Sequence, residues 1–529
     1  MSKRKKWLIG AGVLTLVVIV GLFIAASLLA KRFEPFIRQQ AIAYLRDRFD
    51  SEVELAALRV RIPKISPLRL MLTHGRGVLA SVEGEGISLR HRGRRDAPPM
   101  FAMKKFSFDV DVAKLFDKEK GVGLVVLDGM EITIPPKGER PDLGSGKSSG
   151  TGGSGVVIDQ VWVRNAKLTI LPRDKSKLPL EFDIHEVRLT SAGNDVAMKY
   201  EATLTNAKPP GEIQSRGTFG PWNGPDPDQT PLKGDYKFDK ADLSVFKGIA
   251  GILSSTGQFE GVLSSITARG EADVPDFRLK MAGNPVALST KFEVLVDGTS
   301  GNTILKPVVA KLGSTDFTTS GGVIKHESDP RRTIKLDVLM PKGHVSDLLK
   351  LAMKGSPFME GRIYLKTSID IPPLTTKVRE KILLDGRFDV SEGKFLRSTV
   401  QDQIDSLSKR GQGQPGNELI DEVVHRMSGT FKLENEVVSF KSLAFSVPGA
   451  DVALAGAFDM DHDSLDFYGT LRLKARVSQT MKGWKRWALK PIDPLFAKDG
   501  AGTLLHVKVD GSAKEPKFGL DKKWKDRGK

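Results

Sequence analysis

The side chains that could do chemistry in this chain are widely scattered. The sequence has no cysteine, so a thiolate nucleophile is excluded. Its histidines stand at positions 74, 91, 185, 326, 344, 425, 462 and 506, and no pair has the spacing of a zinc-binding His-Glu-x-x-His motif. No Walker loop and no Gly-x-Ser-x-Gly elbow is present. We therefore expect no enzyme, no cofactor and no metal site.

Two short stretches match ligand motifs in part. Asp459–Asp463 is the densest acidic cluster, but Ser464 stands where a calcium loop needs glycine and Thr470 where it needs glutamate. Gly150–Gly155 has the letters of a dinucleotide motif, but it follows a linker and precedes a predicted strand instead of a helix. We interpret Asp459–Asp463 as a solvated hairpin turn and reject the dinucleotide site.

The elements that would have to position any site are strands. From Ser51 on, apolar and polar residues alternate with a period of two. Apolar members of this pattern are Phe106, Phe108, Val110, Phe182, Ile184, Leu471, Leu473, Leu505, Val507 and Val509. Strict alternation indicates strands with one apolar and one solvated face, and such strands are normally antiparallel.

Turn signals suggest how the strands connect. Val125–Ile134 and Val161–Ile170 each place a glycine or asparagine between two apolar alternations, which predicts a hairpin in each. Asn435-Glu436 and Asp459–Asp463 mark two further hairpins. A repeat of glycine, one residue and an apolar residue is expected to open strands and to let a large sheet bend. It occurs at Gly361–Ile363, Gly386–Phe388, Gly429–Phe431, Gly456–Phe458 and Gly469–Leu471.

Helical spacing appears at a few places. Phe33–Phe49 is predicted to lie at a membrane interface or to cap the first strands. Val345–Met353, Thr399–Lys409 and Leu419–Met427 are predicted as short helices. Val477–Ala488 is predicted as a helix packed over the end of a sheet; because it carries Trp and Lys, a helix at a membrane surface is the alternative.

A long apolar stretch near the start predicts a membrane anchor. Trp7–Ala30 carries no charge and is long enough to cross a hydrocarbon core of about 30 Å. Met1–Lys6 holds four basic residues, which predicts a cytoplasmic N-terminus and a periplasmic bulk. The alternative is a signal peptide cleaved near Ala25–Ser27. Trp7, Leu16, Phe23 and Ala30 are the residues assigned to this membrane anchor.

The charge of the chain restricts its partners. The formal net charge is +17, but the basic residues are dispersed and follow an export signal, which argues against nucleic acid. Anionic lipid headgroups at a membrane fit such a chain better. The apolar strand faces must also be covered, either by a second sheet in a packed sandwich or by a ligand in a curled trough. Alternation fits both architectures.

The order of these features resembles the AsmA-like family of bacterial envelope proteins over nearly the whole chain. The basic tail, single span and amphipathic helix lead into Glu52–Leu58. The middle of the chain, 270–321, is similar to the family's central region. The C-terminal resemblance is carried by Leu384–Phe388, Gly393–Phe395, Val400–Gly411, Gly429–Phe431 and Gly456–Phe458.

This resemblance implies an elongated, twisted, antiparallel sheet curled into a groove behind a single N-terminal transmembrane helix in the bacterial inner membrane. The expected organisation is a tail and anchor over 1–32, a membrane-proximal helix and β segment over 33–140, and a Gly/Ser-rich linker over 141–155. A central β region over 156–380 and a C-terminal region with a helical insertion over 381–529 follow.

The expected function is binding of phospholipid acyl chains in the groove, in support of lipid transport between membranes or of outer-membrane assembly and integrity. A periplasmic scaffold for an outer-membrane assembly protein, without lipid transfer, is the alternative, and a periplasmic hydrolase is the third. Alternation alone assigns candidate groove residues: Phe106, Phe108, Val110, Phe182, Ile184, Phe431, Leu433, Phe458, Leu471 and Leu473.

Overall fold

The structure, a computed structural model, describes the chain in part. Before residue 51 it describes only Arg38, Gln39, Ile42, Ala43 and Arg46, all helical. From residue 51 on it leaves out 62–78, 92–97, 112–119, 135–155, 172–178, 193–196, 417–421 and 525–529, and shorter stretches at 222, 224–225, 282–283, 299, 327–328, 374–375, 498–501, 514 and 523. The predicted anchor Trp7–Ala30, with Leu16 and Phe23, and the linker lie outside the described residues. None of the helices described is long and apolar enough to cross a membrane.

Strands make up most of the described residues, and the prediction of a mostly β chain with a few short helices is confirmed. The strands are β1 (Ser51–Arg61), β2 (Leu79–His91), β3 (Phe101–Asp111), β4 (Lys120–Ile134), β5 (Val156–Ile170), β6 (Leu180–Ala192), β7 (Met198–Ala207), β8 (Pro210–Phe219), β9 (Pro231–Asp242), β10 (Ile249–Ala250), β11 (Ile252–Val262), β12 (Ser265–Leu279), β13 (Val286–Val296), β14 (Thr303–Leu312), β15 (Thr315–His326), β16 (Asp329–His344), β17 (Met359–Ile371), β18 (Leu383–Phe395), β19 (His425–Glu434), β20 (Val437–Val447), β21 (Ala450–Asp459), β22 (Ser464–Leu473), β23 (Thr503–Gly511) and β24 (Pro516–Leu520). The helices are α1 (Val345–Ala352), α2 (Val378–Lys381), α3 (Ser398–Gly411), α4 (Trp484–Leu489) and α5 (Asp493–Phe496).

The chain divides into two compact units. The first holds residues 1–239 and 258–264, and the second holds 240–257 and 265–529. Within the first unit, strands β1 to β9 follow one another in an open sheet that begins with the pairing of β1 and β2. Within the second unit, β12 to β24 form an antiparallel meander in which each strand pairs with the next. The boundaries predicted from the sequence for the linker, the central β region and the C-terminal region remain predictions.

One strand pair departs from the predicted antiparallel order. Strands β4 and β5 run parallel, with Val125 beside Val161 and Leu127 beside Val163. A parallel pair needs a connection of roughly a dozen residues or more, because the chain must return to its starting edge. The connection 135–155 is long enough for this return. The parallel direction was not predicted because the alternation of apolar residues carries no information on strand direction.

The two hairpins predicted at Val125–Ile134 and Val161–Ile170 are wrong. Each stretch lies within one strand, β4 or β5, and the supposed turn residues Gly129 and Asn165 have φ of +65° and +51°. A residue with positive φ inside a paired strand bends the strand without reversing it. Gly86 in β2 has φ of +64° and lies in the same cross-strand row, so the bend crosses the sheet from β2 to β5.

This bend changes the phase of the alternation. In β5, Val161 and Val163 are buried before the bend and Ala166 is buried after it. In β2 the buried residues change from Val82 to Ile87 in the same way. The apolar face is therefore continuous across the bend, although the spacing of apolar residues along each strand is interrupted by one residue.

The predicted helices are confirmed in part. The described residues of Phe33–Phe49 are helical, and Ile42 packs against the first apolar cluster of the sheet, as expected for a helix that caps the first strands. The predictions at Val345–Met353 and Thr399–Lys409 correspond to α1 and α3.

Two helix predictions are wrong in their extent. Strand β19 begins at His425, so the end of the predicted helix Leu419–Met427 is extended. Its apolar residues Val423 and Met427 fit a strand as well as a helix, because a spacing of four residues is compatible with a period of two. Val477–Ala488 is not one helix: a 3-10 turn over Val477–Thr480 is separated from α4 by Gly483, whose φ is +64°.

Four of the five α-helices described in the second unit lie at the same end of its strands. Helix α1 follows β16, α3 follows β18, and α4 and α5 follow β22. Buried aspartates fix them: Asp347 accepts hydrogen bonds from Ser314 and Thr315. Burial alone would raise the pKa of Asp347, but these hydrogen bonds outweigh it and hold the pKa below its ordinary value.

Asp405 fixes helix α3 in a similar way. Its carboxylate is 6% exposed and accepts hydrogen bonds from the backbone N–H groups of Glu422 (3.0 Å) and Val423 (2.9 Å) and from Gln401 Nε2 (2.8 Å). The amide Oε1 of Gln401 accepts in turn from the backbone N–H of Phe395 (3.0 Å). This network joins the end of β18, the helix and the start of β19.

We expect Asp405→Asn to lower the free energy of unfolding by about 2 kcal/mol, because the amide nitrogen cannot accept a hydrogen bond and leaves a buried donor unpaired. Asp402→Asn is the matched control, since Asp402 is exposed on the same helix and should change stability by about 0.5 kcal/mol or less. Chemical denaturation measures both. Equal effects of the two substitutions would contradict this role for Asp405.

Candidate functional site

The five candidate residues predicted in the C-terminal region lie on one face of the second unit's sheet. Phe431 and Leu433 belong to β19, Phe458 to β21, and Leu471 and Leu473 to β22. Their register partners on neighbouring strands are also apolar: Phe440 beside Phe431, Val438 beside Leu433, and Val452 beside Leu471. The alternation therefore identified a common face and not isolated apolar residues.

Two adjacent rows of this face cross the strands from β18 to β24. One row contains Gly386, Phe431, Phe440, Gly456, Phe467, Val509 and Phe518. The next contains Phe388, Gly429, Leu443, Leu454, Gly469, Val507 and Leu520. At about 4.8 Å between strands, each row is roughly 29 Å long.

The glycines of the repeat lie opposite large side chains in these rows. Gly386 is beside Phe431 and Phe388 is beside Gly429 in the register, and the Phe388 ring lies over Gly429. The rings of Phe388 and Phe431 are 6.2 Å apart, and Phe440 meets Phe388 edge-on at 6.4 Å. The glycines lie within the strands, so the prediction that the repeat opens strands is wrong. A Cβ atom at Gly429 would meet the Phe388 ring at 3.2 Å, whereas at Gly456 and Gly469 it would meet the backbone of the neighbouring strand.

The exposure of this face separates core residues from surface residues. Leu433 and Leu473 are 7% and 6% exposed, and Leu473 packs in an apolar cluster beneath helix α3. Phe431, Phe458 and Leu471 are only half-buried. The apolar clusters found among the described residues contain neighbouring strands, in places with one adjoining helix, and none joins two sheets. In the described part of the second unit, these clusters contain no second sheet over the centre of the apolar face; Phe467 in that face is 7% exposed, and its ring lies 5.7 Å from that of Phe440.

The first unit has a comparable face. Phe106 and Phe108 of β3 stack at 6.3 Å and pack at the border of a cluster from β1, β2 and β3. Ile184 of β6 packs against Val161, Val163 and Ala166 of β5. Phe182 is half-buried in register with Leu168. Val110 pairs with Ala80 through the backbone, and its side chain lies outside the description.

The opposite face of the same strands is polar. In β19, Lys432 lies between Phe431 and Leu433 in the sequence, is exposed and forms an ion pair with Glu434 at 2.6 Å. Thr430 donates to or accepts from Ser442 on the same side at 3.1 Å. Strand β19 thus has one apolar and one solvated face, as the alternation predicted.

Sequence reasoning missed His425, which is enclosed by aromatic rings. Its ring is 1% exposed, stacks on Phe395 at 4.7 Å and lies 4.9 Å from Phe445. Neither ring nitrogen has a hydrogen-bond partner. Burial lowers the pKa of His425 to about 4, so the ring is neutral near pH 7. In the sequence, His425 stands two residues from both Val423 and Met427. This spacing places it on the apolar side of the alternation.

The acidic cluster Asp459–Asp463 forms the predicted hairpin turn between β21 and β22. The carboxylate of Asp459 accepts from the backbone N–H groups of Asp461 (2.9 Å) and His462 (3.0 Å). These hydrogen bonds lower the pKa of Asp459, and the Asp459 carboxylate raises the pKa of His462. The other predicted hairpin is formed by Asn435 and Glu436, both with positive φ, between β19 and β20.

Across the described residues, no group of three or more potential ligands could hold a metal ion.

Comparisons with known proteins do not identify the chain. No protein-family model matches it, and neither a curated protein nor a solved structure is detectably similar. The functional interpretation therefore depends on the geometry of the two apolar faces and on the sequence.

Proposed function

We propose that this protein is anchored in the bacterial inner membrane by Trp7–Ala30 and binds phospholipid acyl chains on the apolar faces of its periplasmic sheets. The observation that carries the proposal is the uncovered centre of the second unit's apolar face, where Phe431, Phe458 and Leu471 stay half-buried. Curling of the sheet around the bound chains, as in the AsmA-like proteins that the sequence resembles, is part of the proposal.

The size of this face fits a lipid tail. A row of roughly 29 Å is longer than one leaflet's share, about 15 Å, of a bilayer core. Each CH2 group moved from water to an apolar surface contributes about 0.8 kcal/mol, so a long acyl chain gains affinity without any polar contact. An extended apolar surface on a monomer is otherwise unfavourable in water, and such surfaces mark interaction sites.

The biological role in this proposal is lipid transport between the membranes or support of outer-membrane assembly, with no catalytic step. The predicted anchor and the basic charge of the chain support a position beside anionic lipid. In a scaffold without lipid transfer, the same apolar face would instead be covered by a partner protein, and the experiment below distinguishes the two.

Photo-cross-linking in the living cell tests lipid binding on the apolar face. Benzoylphenylalanine is introduced at Phe431 in the full chain, where one aromatic residue replaces another. Cells are labelled with radioactive phosphate and irradiated, and the purified protein is analysed by gel electrophoresis and mass spectrometry. We expect a phospholipid adduct, because position 431 faces the proposed acyl chains.

The matched control is the same probe at Lys432, the next residue of the strand, which is exposed on the polar face. We expect no lipid adduct there. Equal lipid adducts at both positions would indicate non-specific labelling by the membrane. A protein adduct in place of lipid at position 431 would overturn the proposal and favour the scaffold.

A further inference from the structure

The connection between β22 and β23 exposes large apolar side chains. Trp487 and Leu495 are each 71% exposed, and Met481 is 38% exposed. The sequence favours packing of this stretch over a sheet end, with a membrane surface as the alternative, and the exposure of Trp487 and Leu495 argues against that packing. We name the C-terminal patch by its members: Met481, Lys482, Lys485, Arg486, Trp487, Lys490 and Leu495.

The charge around these apolar residues has one sign. The stretch 474–490 contains six basic residues and no acidic residue. All six basic residues are exposed: Lys474, Arg476, Lys482, Lys485, Arg486 and Lys490. The nearest following acid, Asp493, is 7% exposed and points away from solvent. Among the described residues, no carboxylate forms an ion pair with any of these six cations.

The C-terminal patch is held in place and is not a frayed end. Asp493 accepts hydrogen bonds from the backbone N–H (2.8 Å) and hydroxyl (2.6 Å) of Ser478, which join α5 to the 3-10 turn. Thr503 at the start of β23 donates to the carbonyl oxygen of Ala475 at 2.8 Å. The ammonium of Lys490 lies 4.0 Å from the centre of the Trp487 ring. The exposed apolar and basic groups are thus presented together on a fixed support.

We propose that the C-terminal patch docks on the anionic surface of a membrane. Tryptophan prefers the boundary between headgroups and acyl chains, and each Lys or Arg near an anionic surface contributes about 1 kcal/mol. Phosphate headgroups supply the negative charge that the patch lacks. An acidic protein would also meet the charge, but the exposed Trp487 and Leu495 fit the apolar boundary beneath lipid headgroups.

The position of the C-terminal patch suggests where lipid would reach the apolar face. This part of the inference rests on the proposed function. Among the described residues, strand β24 pairs with β23 alone, and its apolar residues Phe518 and Leu520 are 70% and 58% exposed. These residues end the two apolar rows of the second unit. A membrane docked on the β22–β23 connection would lie beside this open edge, where lipid could enter or leave the face.

Vesicle capture tests the docking. The full chain is reconstituted into phosphatidylcholine nanodiscs and immobilised through its N-terminus. Vesicles of phosphatidylcholine alone or with phosphatidylglycerol are then offered. We expect capture of the anionic vesicles, at least about tenfold stronger than of the neutral ones and weakened by salt. Equal capture of both vesicle types would overturn the proposal.

Two variants assign the capture to the patch. The triple change Lys485→Gln, Arg486→Gln and Lys490→Gln should weaken capture about 100-fold, as expected for three lost charges at about 1 kcal/mol each. Trp487→Ala should weaken it about tenfold with the salt dependence retained.

The control is a triple change of exposed lysines elsewhere in the second unit, Lys311→Gln, Lys325→Gln and Lys441→Gln. A loss equal to that of the patch triple would show that only net charge matters and would overturn the proposal. So would unchanged capture by folded patch variants, or capture that needs an acidic protein on the vesicle. The lipid adduct at position 431 is measured separately, so failure of docking and failure of lipid binding are distinguishable.

Discussion

Replacing Gly469 with alanine is expected to lower the free energy of unfolding by about 3 kcal/mol, a large effect for the addition of one methyl group. A Cβ atom at this position would lie 1.9 Å from the carbonyl oxygen and 2.8 Å from the carbonyl carbon of Ala453 in β21. These are backbone atoms of a paired strand. They cannot move away without breaking the ladder between β21 and β22.

The matched control is Gly519→Ala in strand β24 of the same unit. A Cβ atom there would meet only the Lys508 side chain at 3.8 Å, so the change should be neutral or slightly stabilising. Chemical denaturation followed by circular dichroism measures both variants. Comparable stability of the two variants would show that the strands tolerate a side chain at Gly469, and that the glycine repeat has no packing role.

The free energy of unfolding is expected to fall by about 3 kcal/mol between neutral and acidic pH because of His425 alone. The pKa of His425 is lowered from its ordinary value of 6.5 to about 4 by burial. The unfolded chain therefore takes up a proton more readily than the folded chain does. The contribution of the neutral ring is complete above pH 6.5, falls as the pH decreases towards 4, and is lost below that value.

The variant His425→Phe isolates this effect. Phenylalanine retains an aromatic ring between Phe395 and Phe445 but cannot take up a proton. We expect the difference in unfolding free energy between pH 7 and pH 4 to be smaller in the variant by about 3 kcal/mol, whatever constant offset the larger ring introduces. An unchanged pH dependence in His425→Phe would mean that the folded protein accepts a proton at this site.

Much of the fold was predictable because alternation is a local property. A strand with one face against an apolar layer and one in water needs apolar residues at every second position, and Phe431, Leu433 and Leu471 satisfy that need without reference to distant residues. The turn at Asn435-Glu436 was likewise predictable from its residue types, since asparagine tolerates positive φ. The mostly β architecture and the common apolar face follow from these patterns.

Other features depend on which strands become neighbours, and no local pattern contains that information. Gly129 and Asn165 resemble turn residues, but pairing along the whole of β4 and β5 holds them in bent, continuous strands. The parallel direction of this pair depends on the long connection between them. The enclosure of His425 depends on Phe395 and Phe445, which lie on other strands.

The alternation of apolar and polar residues is enough to predict amphipathic strands with an apolar face, and the sequence also predicts an anchor and a lipid partner. That no second sheet lies over the centre of this face, in the described part of the second unit, is visible only in the folded chain. Alternating residues fit a covered sandwich and an uncovered sheet equally, because the period records only that one face is apolar. What lies over that face depends on packing between distant segments. The rings of Phe388, Phe431 and Phe440 are only half-buried, and among the described residues no second sheet packs over them.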